Sequence, residues 1–494
     1  MITPKHDELY RAKLRRFYRR LDEIVAESHR NFQLPQAPII LTTTVAQAQT
    51  EIVSPETEAT AQQLMAEALD SDLAWEIVES LTTEVGPRLA GSEAEARARE
   101  WGSALGQRLG FDRVVVEEFE LPYWERGDMS IIMTAPYRQA LYGTALGGSG
   151  ASPQSDELEA EIAYFRTVDD LMAVEDSALI GRIAFVDGDA IVASQTGEGY
   201  GPANQRRRIG WQHAQRAGAE ALVVRSVGSD SHRFPHTGMM TAQGNEWAEI
   251  PVIAVSNPDA DHLRRLHELG NSIRLDVHST AGWQGESRSG NVVLDLIGRE
   301  NPEEIILIGG HLDSWDLGTG AIDDGAGIAI TTAAAALIAQ LPQRPRRTIR
   351  VVMFGAEEVG LLGAQSYVAT HDAELANHQV ATESDFGAGR IWQLVSNVSE
   401  AGNPAIDAIG KIIAPLGIIR GGSNVPGGGP DIGPMAARGV PTINLMQNGM
   451  DYFDLHHTPD DTLDKIDPDQ LAQNVAAYVV FAYLAAELDV QFRE

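Results

Sequence analysis

Short, nearly continuous apolar segments alternate with helix-forming segments from residue 290 to the end of the chain. The predicted strands are residues 291–296, 304–308, 348–354, 391–395 and 440–445. The predicted helices are residues 326–340, 361–370 and 468–488. Strands that are apolar throughout are covered on both faces, whereas strands with one wet face alternate apolar and polar residues. The pattern therefore predicts an α/β fold, with a mixed, mostly parallel sheet and helices on both faces.

Two changes of pattern divide the rest of the chain. Residues 129–289 hold short strand candidates bounded by glycine, proline or charge, which predicts a β-rich inserted domain. Residues 61–128 begin with helical apolar spacing, and we expect them to join residues 290–494 in a discontinuous main domain. Residues 1–60 lack a sustained period and are predicted to be an N-terminal leader or tail.

The composition excludes several functions. The 494 residues include 70 acidic and 38 basic side chains, a net charge of −32, which repels phosphate backbones and argues against nucleic-acid binding. No apolar run approaches the roughly 20 residues of a membrane span. There is no cysteine, so disulfides, thiolate metal sites and cysteine nucleophiles are excluded. Any metal chemistry must use histidine, aspartate and glutamate.

The N-terminal segment leaves the location of the protein open. Its first 20 residues are rich in lysine and arginine, and a short apolar stretch at residues 37–45 precedes Ala46-Gln47-Ala48, which is similar to an export cleavage site. If the segment acts as a leader, the protein is periplasmic or secreted. If it does not, the protein is cytoplasmic.

Oxygen and imidazole donors follow the predicted strands of the main domain. They are His311 and Asp313 after residues 304–308, Asp323 and Asp324 before the next helix, Glu357 and Glu358 after residues 348–354, Asp385 after a further strand, and His456 and His457 in a late loop. Ligand sites of open α/β sheets lie at the carboxyl ends of the strands. We therefore expect these side chains to meet at one edge of the sheet.

The donor set predicts a pair of metal ions. Two divalent ions about 3.5 to 4 Å apart need one carboxylate that touches both, and an imidazole and a carboxylate for each ion complete a set of five. The predicted ligands are His311, Asp323, Glu358, Asp385 and His457. Neighbouring side chains of extended backbone point in opposite directions, so Glu357 is left to face the water as a general base. Asp313 is predicted to accept the other ring proton of His311.

These motifs, in this order, resemble the M28-type dinuclear zinc exopeptidases, and within them the carboxypeptidase Q-like branch. The segments that carry the resemblance are His311-Leu312-Asp313-Ser314, Asp323-Asp324-Gly325-Ala326-Gly327, Glu357-Glu358 with Gly360, Glu383-Ser384-Asp385, and His457-Thr458 with Asp461-Thr462. Residues 86–92 are similar to the family's N-terminal signature, and the predicted insert looks like its protease-associated domain. The resemblance covers roughly residues 65–490.

The resemblance implies a zinc exopeptidase fold, two zinc ions per chain, short peptide substrates and a homodimer. His311 and Asp385 would hold one zinc, Glu358 and His457 the other, and the carboxylate of Asp323 would bridge the two ions. The peptide bond between Asp323 and Asp324 would be cis. Glu357 would act as the general base. His456 stands where relatives place a donor to the substrate's carbonyl oxygen, and is a predicted substrate-binding residue.

Several alternatives stay open at this point. The sequence does not separate aminopeptidase from dipeptidase or carboxypeptidase action. A glutaminyl cyclase-like enzyme on the same fold would use a single zinc, so the number of bound ions separates it from the peptidase. A non-catalytic, receptor-type homologue would lose ligands, whereas all five predicted ligands and Glu357 are present here.

Overall fold

The computed structural model describes residues 52–153 and 158–493. The strands are β1 (Arg113–Glu125), β2 (Met129–Ala135), β3 (Gln139–Leu141), β4 (Gly143–Ala145), β5 (Leu158–Phe165), β6 (Arg182–Val186), β7 (Ala221–Arg225), β8 (Val252–Val255), β9 (Arg274–Ser279), β10 (Gly282–Leu296), β11 (Asn301–His311), β12 (Arg347–Phe354), β13 (His378–Glu383), β14 (Ile391–Asn397), β15 (Ile419–Ser423) and β16 (Thr442–Gln447). The α-helices are α1 (Pro55–Asp70), α2 (Leu73–Ser80), α3 (Glu93–Arg108), α4 (Val168–Met172), α5 (Tyr200–Arg208), α6 (Gly210–Arg216), α7 (Asn257–Glu268), α8 (Ala326–Ala339), α9 (Leu362–Thr370), α10 (Asn403–Ile413), α11 (Gly433–Ala436), α12 (Tyr452–Leu455) and α13 (Pro468–Glu487).

The main sheet has the strand order β1-β10-β12-β11-β13-β16-β14-β15. Its central strands β12, β11, β13 and β16 are parallel to one another. β10 is antiparallel to both β1 and β12, and β14 is antiparallel to β16. The predicted mixed, mostly parallel sheet is confirmed.

Alternate residues of each central strand face different layers of helices. Ile306 and Ile308 of β11 belong to a core that includes α1, α2, α8 and α13. Ile305 and Leu307 belong to a second core, on the opposite face, with residues of α9 and α11. Because the side chains of a strand alternate between the two faces of the sheet, an uninterrupted apolar strand must be covered on both. The predicted helices on both faces are therefore confirmed.

The second sheet has the order β3-β2-β9-β5-β6-β7-β8-β4 and nearly closes into a barrel. It is formed by residues of the predicted insert, and its core packs around β5, β6 and β7. The chain leaves the main sheet along β1 and returns along β10, which pairs antiparallel with β1 over its length. A second β-rich sheet within the chain agrees with an inserted domain, whose boundaries at residues 129 and 289 stay predictions.

Two parts of the secondary structure differ from the sequence prediction. β10 begins at Gly282, whereas the apolar pattern predicted a strand only from residue 291. Residues 282–288 are exposed or half-buried, so they carry no apolar signal, and backbone pairing with β1 holds them in the strand. At the other end of the main domain, α1 begins at Pro55, inside the segment predicted as a leader or tail. The rest of that segment, up to residue 51, lies outside the described residues.

Helix α8 carries the most apolar stretch of the described chain. In contrast to the sequence prediction, the segment Ala321–Ala339 is long and apolar enough to cross a membrane by length and composition, but the 18-residue window that meets this criterion is buried inside the protein. The segment packs between the main sheet and helices α2 and α13, which explains its composition. Its N-terminal end, next to the carboxyl end of β11, is where the candidate site begins.

Candidate metal centre

Four connections at one edge of the main sheet deliver the predicted site residues. His311 is the last residue of β11, and Asp323 lies in the turn that precedes α8. Glu357 and Glu358 follow the end of β12, and Asp385 follows the end of β13. The last predicted ligand, His457, and its neighbour His456 come directly after the short helix α12. The structure thus brings all of the predicted site residues to the same end of the parallel strands.

Asp323 lies between two groups of donors. On one side, His311 Nε2 is 3.0 Å from Asp323 Oδ1 and 3.7 Å from Asp385 Oδ1. On the other side, His457 Nε2 is 3.3 Å from Asp323 Oδ2 and 2.9 Å from Glu358 Oε2. Each oxygen of the Asp323 carboxylate therefore faces a different pair of side chains, the arrangement expected of a bridging ligand.

The chemistry of this donor set fits divalent cations. Asp323 Oδ2 and Glu358 Oε1 are buried and have no hydrogen-bond partner among the described residues. Buried carboxylates are normally paired with donors or with metal ions, because removing them from water is costly. Burial raises the pKa of Glu357 and Glu358 well above the usual range, and the crowding of acidic groups at the site raises it further. Two positive ions would neutralise that crowding.

His456 stacks on His457, with ring centroids 3.4 Å apart. Its Nε2 is 3.6 Å from Asp323 Oδ2, and together with Asp323 and His457 it forms one of two groups whose donor atoms are close enough to share an ion. The other group is His311, Asp323 and Asp385. His456 Nδ1 is buried without a partner among the described residues. Geometry alone therefore allows His456 to contact either an ion or a substrate.

Asp313 contacts His311 through its backbone and the Glu357–Glu358 segment through its side chain. Its backbone carbonyl, rather than its carboxylate, accepts a hydrogen bond from His311 Nδ1 at 2.9 Å, and the nearest carboxylate oxygen is 3.8 Å away. The carboxylate instead accepts hydrogen bonds from the backbone N–H groups of Glu357, at 3.0 Å, and Glu358, at 3.3 Å. Asp313 thus fixes the ring of His311 and also the segment that carries Glu357 and Glu358.

The backbone around Asp323 is held by two carboxylates that the sequence reasoning gave no role. Asp324, joined to Asp323 by the expected cis peptide bond, accepts hydrogen bonds from the N–H groups of His311 and Gly327. Asp461 accepts from the N–H groups of Ile322, at 2.6 Å, and Asp323, at 3.3 Å. Both residues stand in the motifs quoted above, but a residue type does not reveal which backbone groups it will bind.

The second ring nitrogen of His457 is bound by the insert. His457 Nδ1 donates to the carbonyl oxygen of Thr237 at 3.1 Å, so that Nε2 is free to face Asp323 and Glu358. Metal-binding histidines commonly use their second nitrogen in this way. The sequence reasoning missed this partner because a backbone carbonyl leaves no signal in the residue type.

A cleft of about 510 Å³ opens over the site between the main domain and the insert. The main domain contributes Asp323, Glu357, Glu358, Asp385 and the two histidines. The insert contributes the opposite wall, which includes Tyr200, Arg207, Met239 and Trp247. The cleft has the volume of a typical small-ligand site, and it is lined by the predicted base and by four of the five predicted ligands, Asp323, Glu358, Asp385 and His457.

Comparison with known proteins identifies related chains. The model of Peptidase family M28 matches residues 291–482, which include all of the predicted ligands. Carboxypeptidase Q of Mus musculus is 33% identical over 411 residues, which cover 83% of this chain and 84% of that protein.

Two solved structures are also similar. A peptidase M28 precursor from Shewanella amazonensis SB2B is 46% identical, with a TM-score of 0.85, and the match covers 89% of this chain and 98% of that one. The zinc aminopeptidase BSAP from Bacillus subtilis has a TM-score of 0.63 at 21% identity, covering 85% of this chain and 95% of that one, and so shares the fold.

Proposed function

The chain belongs to peptidase family M28, in its carboxypeptidase Q-like branch, and from that premise we propose that it is an exopeptidase that uses two zinc ions to hydrolyse short peptides. The observation that supports the proposal is the position of the Asp323 carboxylate, with one oxygen near His311 and the other near His457. The similarity to a zinc aminopeptidase of the same fold supports zinc as the metal.

The residues divide into two ligand pairs around a bridge. We assign His311 and Asp385 to one ion and Glu358 and His457 to the other, with Asp323 shared. When bound, the two ions would lower the pKa of a water molecule and polarise the scissile carbonyl group. This double arrangement favours the peptidase over a single-zinc cyclase, and the complete ligand set argues against a non-catalytic receptor.

Glu357 is our candidate for the general base. Its backbone is held by Asp313, and its side chain lines the cleft beside Asp385. A carboxylate in this position can accept a proton from the attacking water and donate it to the departing amine. His456, at the wall of the cleft, is our candidate for the hydrogen bond to the substrate's carbonyl oxygen. We also retain the prediction of a homodimer, which light scattering would test.

The metal content is the first test. We expect the purified protein to bind two equivalents of zinc per chain and to lose peptidase activity when a chelator removes them. One equivalent per chain would favour the cyclase alternative. A panel of dipeptides with free, N-blocked and C-blocked ends would then show which terminus the enzyme requires.

Substitution of Glu357 tests its role. Glu357→Gln keeps the shape of the side chain but cannot take up a proton, so we expect kcat to fall about 10²- to 10⁴-fold while both zinc ions stay bound. The exposed Glu303 offers a control, and Glu303→Gln should retain full activity. Peptidase activity near that of the wild type in Glu357→Gln would remove Glu357 from the reaction.

A further inference from the structure

A loop of the insert, residues 226–241, lies along the segment of the main domain that carries His456 and His457. At one end, the N–H group of Ser229 donates to the carbonyl oxygen of Phe453 at 3.0 Å, and its hydroxyl donates to Asp454 at 2.6 Å. At the other end, the N–H group of Thr237 donates to the carbonyl oxygen of His457 at 3.0 Å. The insert therefore holds residues 453–457 at both ends.

His236 fixes the middle of this contact. The side chain is 1% exposed, and its Nδ1 lies 2.9 Å from the carbonyl oxygen of His456. A carbonyl oxygen can only accept, so Nδ1 donates. On the other side of the ring, Nε2 is bound to the buried carboxylate of Asp230. The ring also packs on Gly228, where a Cβ would approach it to within 2.1 Å. Asp230 and Gly228 of the insert thus hold the imidazole on one side, and its Nδ1 is directed at the main domain.

Thr237 binds His457 in two ways. Its N–H group donates to the backbone of His457, and its carbonyl oxygen accepts from the His457 ring. Arg207 Nη1 donates to the same carbonyl oxygen at 2.8 Å and so helps to fix it. His457 has a φ of +64°, a conformation that non-glycine residues adopt infrequently and that surrounding contacts must hold. The insert supplies those contacts.

The other ligand pair has a different kind of support. His311 Nδ1 donates to the carbonyl oxygen of Asp313, which lies two residues further along the same loop of the main domain. Among the described residues, the recorded hydrogen bonds of the His311 ring are all within the main domain. The two halves of the site thus depend on the insert to different degrees.

We infer that His236 and Thr237 are positioning residues for the metal ligand His457, and that the insert thereby sets the affinity of one zinc ion and not of the other. The inference rests on the proposed two-zinc function and adds to it a role for the insert. It predicts that weakening the contact from His236 to His456 lowers the affinity of the ion between Glu358 and His457. The affinity of the ion between His311 and Asp385 should be preserved.

Two substitutions of nearly the same size separate the contacts of His236. Glutamine places its amide nitrogen near the position of Nε2, so His236→Gln keeps the bond to Asp230 and loses the donor to His456. Asparagine places its amide nitrogen near the position of Nδ1, so His236→Asn keeps the donor to His456. The exposed His232 of the same loop supplies the control, His232→Gln.

The measurement is the affinity of each zinc-binding step. Zinc is added to each metal-free protein in the presence of a chromophoric chelator, and the competition between protein and chelator gives the two affinities. We expect His236→Gln to weaken one binding step about 10- to 100-fold and to leave the other unchanged. His236→Asn should restore most of the loss, and His232→Gln should match the wild type. Ser229→Ala, which removes one hydrogen bond at the far end of the contact, should weaken the same step about two- to tenfold.

Three results would overturn the inference: unchanged affinities in His236→Gln and Ser229→Ala, equal weakening of both steps, or equal losses in the glutamine and asparagine variants. Circular dichroism of the metal-free proteins checks that each variant is folded. If His236→Gln does not fold, the inference is tested by the zinc affinities of Ser229→Ala and His236→Asn, measured in the same way. A wild-type protein that binds one zinc would contradict the proposed function instead, and the inference would then be judged by whether His236→Gln weakens that single ion.

Discussion

Asp313 contacts two parts of the site with two different groups. Its carbonyl oxygen accepts from His311, whereas its carboxylate accepts from the N–H groups of Glu357 and Glu358. Asp313→Asn keeps the carbonyl group but turns one carboxylate oxygen into a donor, which cannot accept from an N–H group. We expect kcat to fall about 10- to 100-fold, with both zinc ions retained. Steady-state kinetics and metal analysis would check this, with the exposed Asp128→Asn as the control. An unchanged kcat would show that the carboxylate does not orient Glu357.

For individual residues, the sequence predicts which side chains belong to the site but not which of their atoms make the contacts. Histidines and carboxylates at the ends of apolar strands identify the ligand candidates, because parallel strands place their carboxyl ends together. The same reasoning selects Asp313 as the partner of the His311 ring but does not say which oxygen accepts, since the path of the backbone after β11 decides which oxygen faces the ring. The sequence does not identify Thr237 as a site residue, because Thr237 contacts His457 through its backbone carbonyl.

Among the larger elements, the loop between β11 and α8 is held by a buried arginine in addition to Asp324 and Asp461. Arg88 is fully buried, and its guanidinium donates to the carbonyl oxygens of Leu312, Thr319 and Gly320. A lysine cannot reach three carbonyl groups that lie in different directions, and each unsatisfied buried group costs about 1 to 3 kcal/mol. We expect Arg88→Lys to lower the free energy of unfolding by about 2 to 4 kcal/mol. Chemical denaturation would measure it against Arg97→Lys, an exposed control on α3; equal stabilities would contradict the prediction.

The start of β13 makes stability depend on pH. Burial lowers the pKa of His378 to about 4, because the charged form of the ring is unfavourable away from water. Its Nδ1 donates to the carbonyl oxygen of Glu374, which opposes this shift only in part, and its Nε2 accepts from the hydroxyl of Tyr367. In the unfolded chain the pKa is near the ordinary histidine value of 6.5. Below pH 6.5 the unfolded state therefore binds a proton that the folded state does not, and stability falls as the pH drops towards 4.

The loss attributable to His378 should approach about 3 kcal/mol at pH 4. Urea unfolding of the metal-free protein at several pH values would reveal it as the difference between the wild type and His378→Gln, which accepts from Tyr367 but does not titrate in this range. Two curves of equal slope between pH 6.5 and 4 would show that His378 is not responsible.

The secondary structure that the sequence predicts well is the part that burial determines. The apolar runs of β11, β12 and β13 are enclosed by helices, so composition and position agree. β1 and the first half of β10 are mostly exposed or half-buried, and their pairing with each other holds them together in spite of polar side chains. A local pattern cannot predict such pairing, because the partners lie more than a hundred residues apart.

In the whole molecule, the cleft is completed only where the insert meets the main domain. Trp247 and Met239 of the insert line the cleft and also an adjoining pocket of about 140 Å³. Trp283 lies against Trp247, with ring centroids 4.9 Å apart, and Leu89 and Val359 complete the apolar wall. Val359 directly follows Glu358, so this pocket opens beside the candidate metal centre. A pocket of aromatic and aliphatic side chains favours an apolar substrate side chain, because binding removes both surfaces from water.

We therefore expect the wild-type enzyme to cleave peptides with a leucine or phenylalanine side chain in this pocket with a kcat/KM about 10- to 100-fold higher than that of the alanine analogues. Trp247→Ala removes a wall that only the insert provides, so the preference should shrink towards unity, while hydrolysis of the alanine substrates changes little. Kinetics on matched dipeptide series would measure this, with Trp75→Ala as a substitution outside the cleft. A preference that survives intact in Trp247→Ala would mean that the main domain alone selects the side chain, and that the insert acts on the metal ligand without contacting the substrate.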